Sequence, residues 1–316
     1  MKAIIATGRG LRPCLTLADV PEPGRPGPDD VLVKVHASSV NPKDWKLNYP
    51  LASATRPVRV VRPQAMFGDD LAGVVLAVGR RVTDFGPGDA VFGMDMRLRT
   101  AALAEKALID HTCIALKPPS LSFLQAAAMP LAAQTALQGL RKGKARSGSR
   151  VLIIGASGGV GTFAVQIAKA LGCHVTAVCS SGNIELVREL GADETVDYTE
   201  GDFRHGIGRF ALVFDVASRE SPRSCSGLIA EGGWFISTGG TARSMLGTPL
   251  FRLLGKKADS MLVQPRRADL ETLANMVEKG QLKPVIDSEF DLADAHQAYR
   301  RSRSGRCRGK VVIRIV

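Results

Sequence analysis

The segment Gly155-Ala-Ser-Gly-Gly-Val-Gly161 is the part of the chain best suited to chemistry. It follows an apolar run, Val151–Ile154, and opens a helical pattern over Thr162–Leu171. Glycines at such a turn let backbone come close to a phosphate. Free N–H groups at the helix start, aided by the helix dipole, bind its charge. A second strand-like run, His174–Val178, follows at the spacing of a βαβ unit. Strand, glycine turn, helix and strand together hold the pyrophosphate of a dinucleotide. A tight glycine turn that binds nothing is the plainer alternative.

The end of the second strand reports on the ribose of such a ligand. An Asp or Glu there holds the 2′-hydroxyl of NAD. This chain has Cys179-Ser180-Ser181, and its next acid is Glu185. A carboxylate would repel a 2′-phosphate, so its absence favours NADPH over NADH. Relaxed specificity is the competing reading.

These residues must be positioned by two kinds of structure. From about Leu121 onward, strands and helices alternate: Ser122–Ala133 helical with Ser120 or Ser122 as cap, then Val151–Ile154, the glycine-loop helix, His174–Val178, Asn183–Leu190 helical, Ala211–Phe214 and Gly233–Thr238. That alternation predicts an α/β fold with a doubly wound parallel sheet. The first third is different. Val31–Ala37 alternates apolar and polar residues, and Val74–Val78 and Ala90–Phe92 are short strands between Gly- and Pro-rich turns. This texture predicts an irregular antiparallel barrel. Helices are expected at Leu270–Lys279 and Ala293–Arg301, with a closing strand at Lys310–Val316.

Composition narrows the function classes. A chain of 316 residues, 45% apolar and 23% charged, is long enough for two cores and too apolar for disorder. The net charge of +12 raises nucleic-acid binding. Its one dense basic run, Arg300–Lys310, lacks interleaved aromatics and fits no nucleic-acid motif, so a polyanionic cofactor is the simpler partner. The six cysteines form no CxxC pair and read as reduced packing thiols in a cytoplasmic protein. Val151–Ala168 carries no charge, but its glycines suit a strand, turn and helix better than a membrane span.

Four segments resemble the medium-chain dehydrogenase/reductase superfamily, in its zinc-independent quinone oxidoreductase-like branch. They are Val40-Asn-Pro-Lys-Asp-Trp-Lys46, the run Gly68–Gly93, Pro130-Leu-Ala-Ala-Gln-Thr-Ala-Leu137 and the glycine loop. The likeness is colinear along essentially the whole chain, and the tail segments Gly280–Phe290 and Gly309-Lys310-Val311-Val312 share it. It implies a GroES-like irregular β-barrel domain in residues 1–120, a Rossmann domain in 121–259 and a return to the catalytic domain in 260–316. It also implies an active site in the cleft between the domains, and a homodimer.

The resemblance carries site residues with it. Lys46 is the candidate proton donor, acting directly or through the cofactor ribose, and Asn41 lines the substrate pocket. Thr135 meets the nicotinamide side. Ser157, Gly158, Gly159 and Val160 meet the pyrophosphate, and Ser180, Ser181, Asn183 and Tyr198 surround the 2′-phosphate. The Thr238-Gly239-Gly240 turn lies near the nicotinamide ribose. Relatives often place Arg or Lys just before the residue matching Asn183, whereas this chain has Gly182, which makes the NADPH preference modest. The glycine common after the residue matching Asp215 is also missing.

Zinc-dependent members need Cys and His ligands that this chain lacks. The first ligand position falls at Asn41–Asp44 and the Gly-His-Glu position reads Gly68-Asp69-Asp70. Between residues 80 and 120 the only cysteine is Cys113, so the structural zinc lobe is missing too. The expected activity is zinc-free hydride transfer from NADPH to a quinone or an α,β-unsaturated carbonyl. Alternatives are a zinc-free dehydrogenase of another carbonyl, or a cofactor-binding sensor or structural protein with little turnover.

Overall fold

The computed structural model describes residues 1–7, 14–44, 67–96, 101–238, 251 and 257–316. They divide into two units. The first is Met1–Leu131 with Pro265–Glu278 and Pro284–Val316; the second is Ala132–Gln264 with Lys279–Lys283. The division falls after Leu131, ten residues beyond the change of texture at Leu121. The reason is helix α1 (Phe123–Ala127), which packs on strands of the first unit.

In the first unit, β1 (Lys2–Thr7) and β2 (Cys14–Asp19) pair as a separate antiparallel ribbon. The main sheet contains β3 (Asp30–Ser39), β4 (Asp70–Val78), β5 (Ala90–Met94), β6 (Lys106–Asp110) and β7 (Ile114–Leu116). Two strands from the chain's end join it, Ile286–Asp291 and Lys310–Arg314. Val31, Val33 and Val35 are fully buried while Lys34 is exposed, which is the two-residue period read in the sequence. They pack with Leu71, Val75, Val91, Ile109 and Ile114. Asp70 opens β4 opposite Ser39, and Lys310–Arg314 runs antiparallel to the same end of β3. Three strand ends therefore meet where Asn41 leaves β3.

The helix expected over Ser122–Ala133 is two helices. Ser122 caps α1, accepting from Gln125 N at 3.2 Å while Gln125 Oε1 accepts from Ser122 N at 2.9 Å. Pro130 then opens α2 (Pro130–Lys142), where its missing N–H costs nothing.

The second unit is built on β8 (Arg150–Ile154), β9 (His174–Cys179), β10 (Glu194–Asp197), β11 (Phe210–Asp215), β12 (Ile229–Ser237) and β13 (Ala258–Ser260). They pair in parallel in the order β10-β9-β8-β11-β12-β13. Counted from β8 this is the 3-2-1-4-5-6 order of the Rossmann fold, with its switch point between β8 and β11. Val151, Leu152, Leu212 and Val213 are fully buried, as strands covered on both faces require. Helices α3 (Gly159–Ala170) and α4 (Ile184–Glu189) connect the first three strands. In the tail, Arg267–Glu278 forms α5, Ala295–Arg303 forms α6, and the last two strands are β14 (Ile286–Asp291) and β15 (Lys310–Arg314).

Candidate functional site

At the end of β8, Gly155 turns the chain with φ +87°, a conformation that disfavours any residue with a Cβ. A Cβ on Gly161 would lie 2.2 Å from the carbonyl oxygen of Gly155, so only glycine lets α3 start this close to β8. Gly158 caps α3 without a side chain, and the first turn holds no acid. Among the described residues no side chain caps the first-turn N–H groups, which carry the positive end of the helix dipole. Ser157, Gly158, Gly159 and Val160 are half-buried along this turn. The arrangement fits a pyrophosphate, whose oxygens would satisfy those groups.

Beside it, Asn183 Nδ2 donates to Ser157 Oγ at 3.1 Å and to Ser180 Oγ at 3.0 Å. The glycine loop and the end of β9 are thus joined by one carboxamide. Ser181 Oγ lies 2.9 Å from Thr199 Oγ1, and Tyr198 stands 48% exposed next to it. Gly182 is exposed and brings no side chain.

The sequence reading missed an acid at this edge. Asp197 ends β10 level with Cys179, and hydrogen bonds from Ser181 and Thr199 hold its carboxyl below the usual range. Its signal was weak because Glu194–Asp197 is a short, half-exposed strand with no apolar period.

At the carboxyl ends of β11 and β12 lie Asp215 and Thr238. Asp215 is fully buried, and burial pushes its carboxyl up to about 6 despite N–H donors from Glu220, Ser218 and Ala217. Thr135 is buried on α2 in the same unit. Lys46, Gly239 and Gly240 lie outside the described residues.

The first unit gathers the rest. Asn41 is buried and its side chain is engaged at both ends: Nδ2 donates to Asp70 Oδ2 at 2.8 Å, and Oδ1 accepts from Lys310 Nζ at 2.6 Å. Asp70 also accepts from Ser39 Oγ and, at 2.8 Å, from Leu131 N, with Lys310 Nζ at 3.5 Å. Lys43 Nζ lies 2.9 Å from Asp69 Oδ1. Burial pushes Asp69 up to about 6 against that lysine's pull. Asp44 is fully buried, with one carboxylate oxygen on Asn41 N at 2.8 Å and the other without a hydrogen-bond partner among the described residues. Its burial, with the charge of Asp69 next, raises its pKa well above the ordinary value. Sequence reading named Asn41 and missed Lys310 and Asp70, which lie 240 positions apart.

Among the described residues, no group of three or more His, Cys, Asp and Glu could hold a metal ion. Burial raises the thiols of Cys179 to about 11 and Cys225 to about 12, so neither is a ready thiolate. No helix among the described residues is long and apolar enough to cross a membrane.

A parallel 3-2-1-4-5-6 sheet with an open glycine loop, joined to a second β unit, is the architecture of a nicotinamide-dependent oxidoreductase. Comparison with known proteins agrees. Residues 27–118 match the alcohol dehydrogenase GroES-like domain, and residues 190–313 match the zinc-binding dehydrogenase family. A 2-methylene-furan-3-one reductase of Solanum lycopersicum is 34% identical over 90% of this chain and 71% of its own. The chloroplastic quinone-oxidoreductase QR1 of Triphysaria versicolor is 33% identical over 93% of this chain and 92% of its own. The solved quinone oxidoreductase of Coxiella burnetii superposes with a TM-score of 0.88 at 29% identity, covering 100% of this chain and 99% of that one. The chain belongs to the quinone oxidoreductase-like branch of the medium-chain dehydrogenase/reductase superfamily. It is an NAD(P)H-dependent oxidoreductase with a GroES-like and a Rossmann domain.

Proposed function

We propose that the protein reduces a quinone or an α,β-unsaturated carbonyl with NADPH, without zinc. The observation that carries the reading is the open first turn of α3 beside Gly161, which suits a dinucleotide pyrophosphate. The cofactor supplies a hydride to a carbon that the substrate's own carbonyl has made electron-poor. The second unit binds it, and the first orients the substrate and donates a proton near the developing enolate oxygen. Two relatives are named for such substrates, an enone reductase and a quinone oxidoreductase.

Lys46 is the proton donor in this reading. Asn41, five residues before it in the sequence, is held by Asp70 and Lys310. NADPH is preferred over NADH, and the preference is modest because Gly182 adds no cation and Asp197 sets a carboxylate against Ser181. We place the protein in the cytoplasm as a homodimer.

The test is oxidation of NADPH and of NADH against a panel of quinones, enones and enals, with a metal chelator present throughout. Turnover that survives chelation, in protein free of stoichiometric zinc, is expected. Tight NADPH binding without turnover on any acceptor would favour a sensor, and activity lost with a bound zinc would refute the metal-free reading.

A further inference from the structure

Among the described residues, only Lys144 and Ser218 combine a side chain with a positive φ. Lys144 follows the end of α2, where such a residue closes a helix. Ser218, with φ +54°, is not at a helix end. It stands three residues beyond Asp215, where β11 finishes, in a conformation that glycine adopts freely and serine does not. A strained backbone persists where the surrounding structure fixes it and the side chain has a use.

The turn is tightly fixed. Asp215 accepts from Ala217 N at 3.1 Å and Glu220 N at 2.8 Å, and Val216 N donates to Ile154 O at 3.1 Å. Ala217 lies against Gly155, so close that a Cβ on that glycine would be 2.9 Å from its own. Ser218 therefore follows directly at the switch point between β8 and β11, beside the glycine loop.

Its hydroxyl has a defined role in a short chain. Ser218 Oγ is 3.0 Å from Thr238 Oγ1, and Thr238 Oγ1 donates to Val216 O at 3.2 Å. Thr238 has one hydroxyl proton, and the carbonyl takes it. With the Thr238 proton on that carbonyl, Ser218 is the donor in the contact between the hydroxyls. Its oxygen keeps its lone pairs for an incoming O–H or N–H.

A dinucleotide lies across the switch point, its pyrophosphate at the glycine loop and one nucleoside over each half of the sheet. The adenosine ribose goes to the end of β9, so the nicotinamide nucleoside passes over β11 and β12. We infer that Ser218 is a binding residue for the nicotinamide half, accepting a hydrogen bond from a ribose hydroxyl. The bond is relayed through Thr238 to the Val216 carbonyl. This rests on the dinucleotide reading of the site.

Calorimetry with two probes, NADPH and the adenosine fragment 2′,5′-ADP, tests it. Ser218→Ala should weaken NADPH about three- to tenfold, the range of one hydrogen bond, and leave 2′,5′-ADP unchanged. Ser218→Gly should lose the same NADPH affinity while raising the thermal midpoint, because it removes the backbone strain. Full NADPH affinity in Ser218→Ala, or an equal loss for both probes, would overturn the inference. Wild-type protein binding neither probe would overturn the dinucleotide reading beneath it.

Discussion

Replacing Lys310 by Met should be among the most damaging single changes in the first unit. The ammonium is 4% exposed, and the Asp70 carboxylate opposite it is fully buried. Three neutral donors remain for Asp70 without the lysine, from Ser39, Asn41 and Leu131. They satisfy its lone pairs but do not cancel its charge. Breaking a buried pair from one side typically costs about 3–5 kcal/mol. Asn41 Oδ1 also loses its 2.6 Å donor, and that loss overlaps the first because the three groups form one network. For a domain of this size the total corresponds to a fall in thermal midpoint of roughly 6–20 °C. Asp70→Asn alone should cost a comparable amount, since it leaves Lys310 charged and buried. The double change removes both charges and should be less harmful than the sum, by about 1–3 kcal/mol. The assay is the thermal midpoint of the four proteins at one scan rate, with reductase turnover as a second measurement. Additive losses, or a shift below about 2 °C for either single change, would refute the argument that the pair is desolvated and mutually required.

Further outcomes are expected. Gly161→Ala puts a Cβ 2.2 Å from Gly155 O, so the loop must move and NADPH affinity should fall at least about tenfold by calorimetry. Gly182→Arg should tighten NADPH by roughly 1–3 kcal/mol and leave NADH nearly unchanged, while Ser180→Asp should invert the preference; dissociation constants for both cofactors decide this. Asp69 and Asp215 are raised from 3.8 to about 6, so their contribution is complete below about pH 4 and lost as pH rises through 6. Stability should therefore rise on going from pH 8 to 5, by about 1.4 kcal/mol per group, the thermal midpoint should rise with it, and Asp69→Asn should flatten that rise. Lys43→Ala should lower stability through Asp69 while sparing turnover, whereas Lys46→Ala should cut turnover more than about tenfold; the reverse pattern would move the donor to Lys43.

What could be read from the chain follows the range of the forces involved. Val31–Ala37 and Val151–Ile154 were legible because burial on one face or both writes a local period. Strands such as Glu194–Asp197 and Ile286–Asp291 were not, since they are polar and half-exposed and owe their pairing to a neighbour. Pro130 split an expected helix because a proline opens a helix as readily as it ends one. The glycine loop was readable as a contiguous motif. The surroundings of Asn41 were not, because Asp70 and Lys310 reach it from distant strands and neither is unusual in its own segment. Asp197 was missed for the same reason, as its place beside Ser181 exists only once β10 pairs with β9.

The polar groups at the two candidate sites are arranged differently in the two units. In the second unit Gly158 gives α3 no side-chain cap, and the Ser218 hydroxyl lies 3.0 Å from that of Thr238. In the first unit Asp69 and Asp70 direct their charge at Lys43 and Lys310, and Asn41 is engaged at both ends. Two ammonium groups thus lie against two carboxylates in this unit. An ammonium supplies charge and protons, but it has no vacant site for a substrate oxygen and cannot polarise a carbonyl as a Lewis acid does. In the proposed reaction, activation comes from the substrate's own conjugation and from one well-placed proton donor. The proposal therefore favours quinones and enones over simple ketones, with Lys46, two residues beyond Asp44 in the sequence, as the proposed donor.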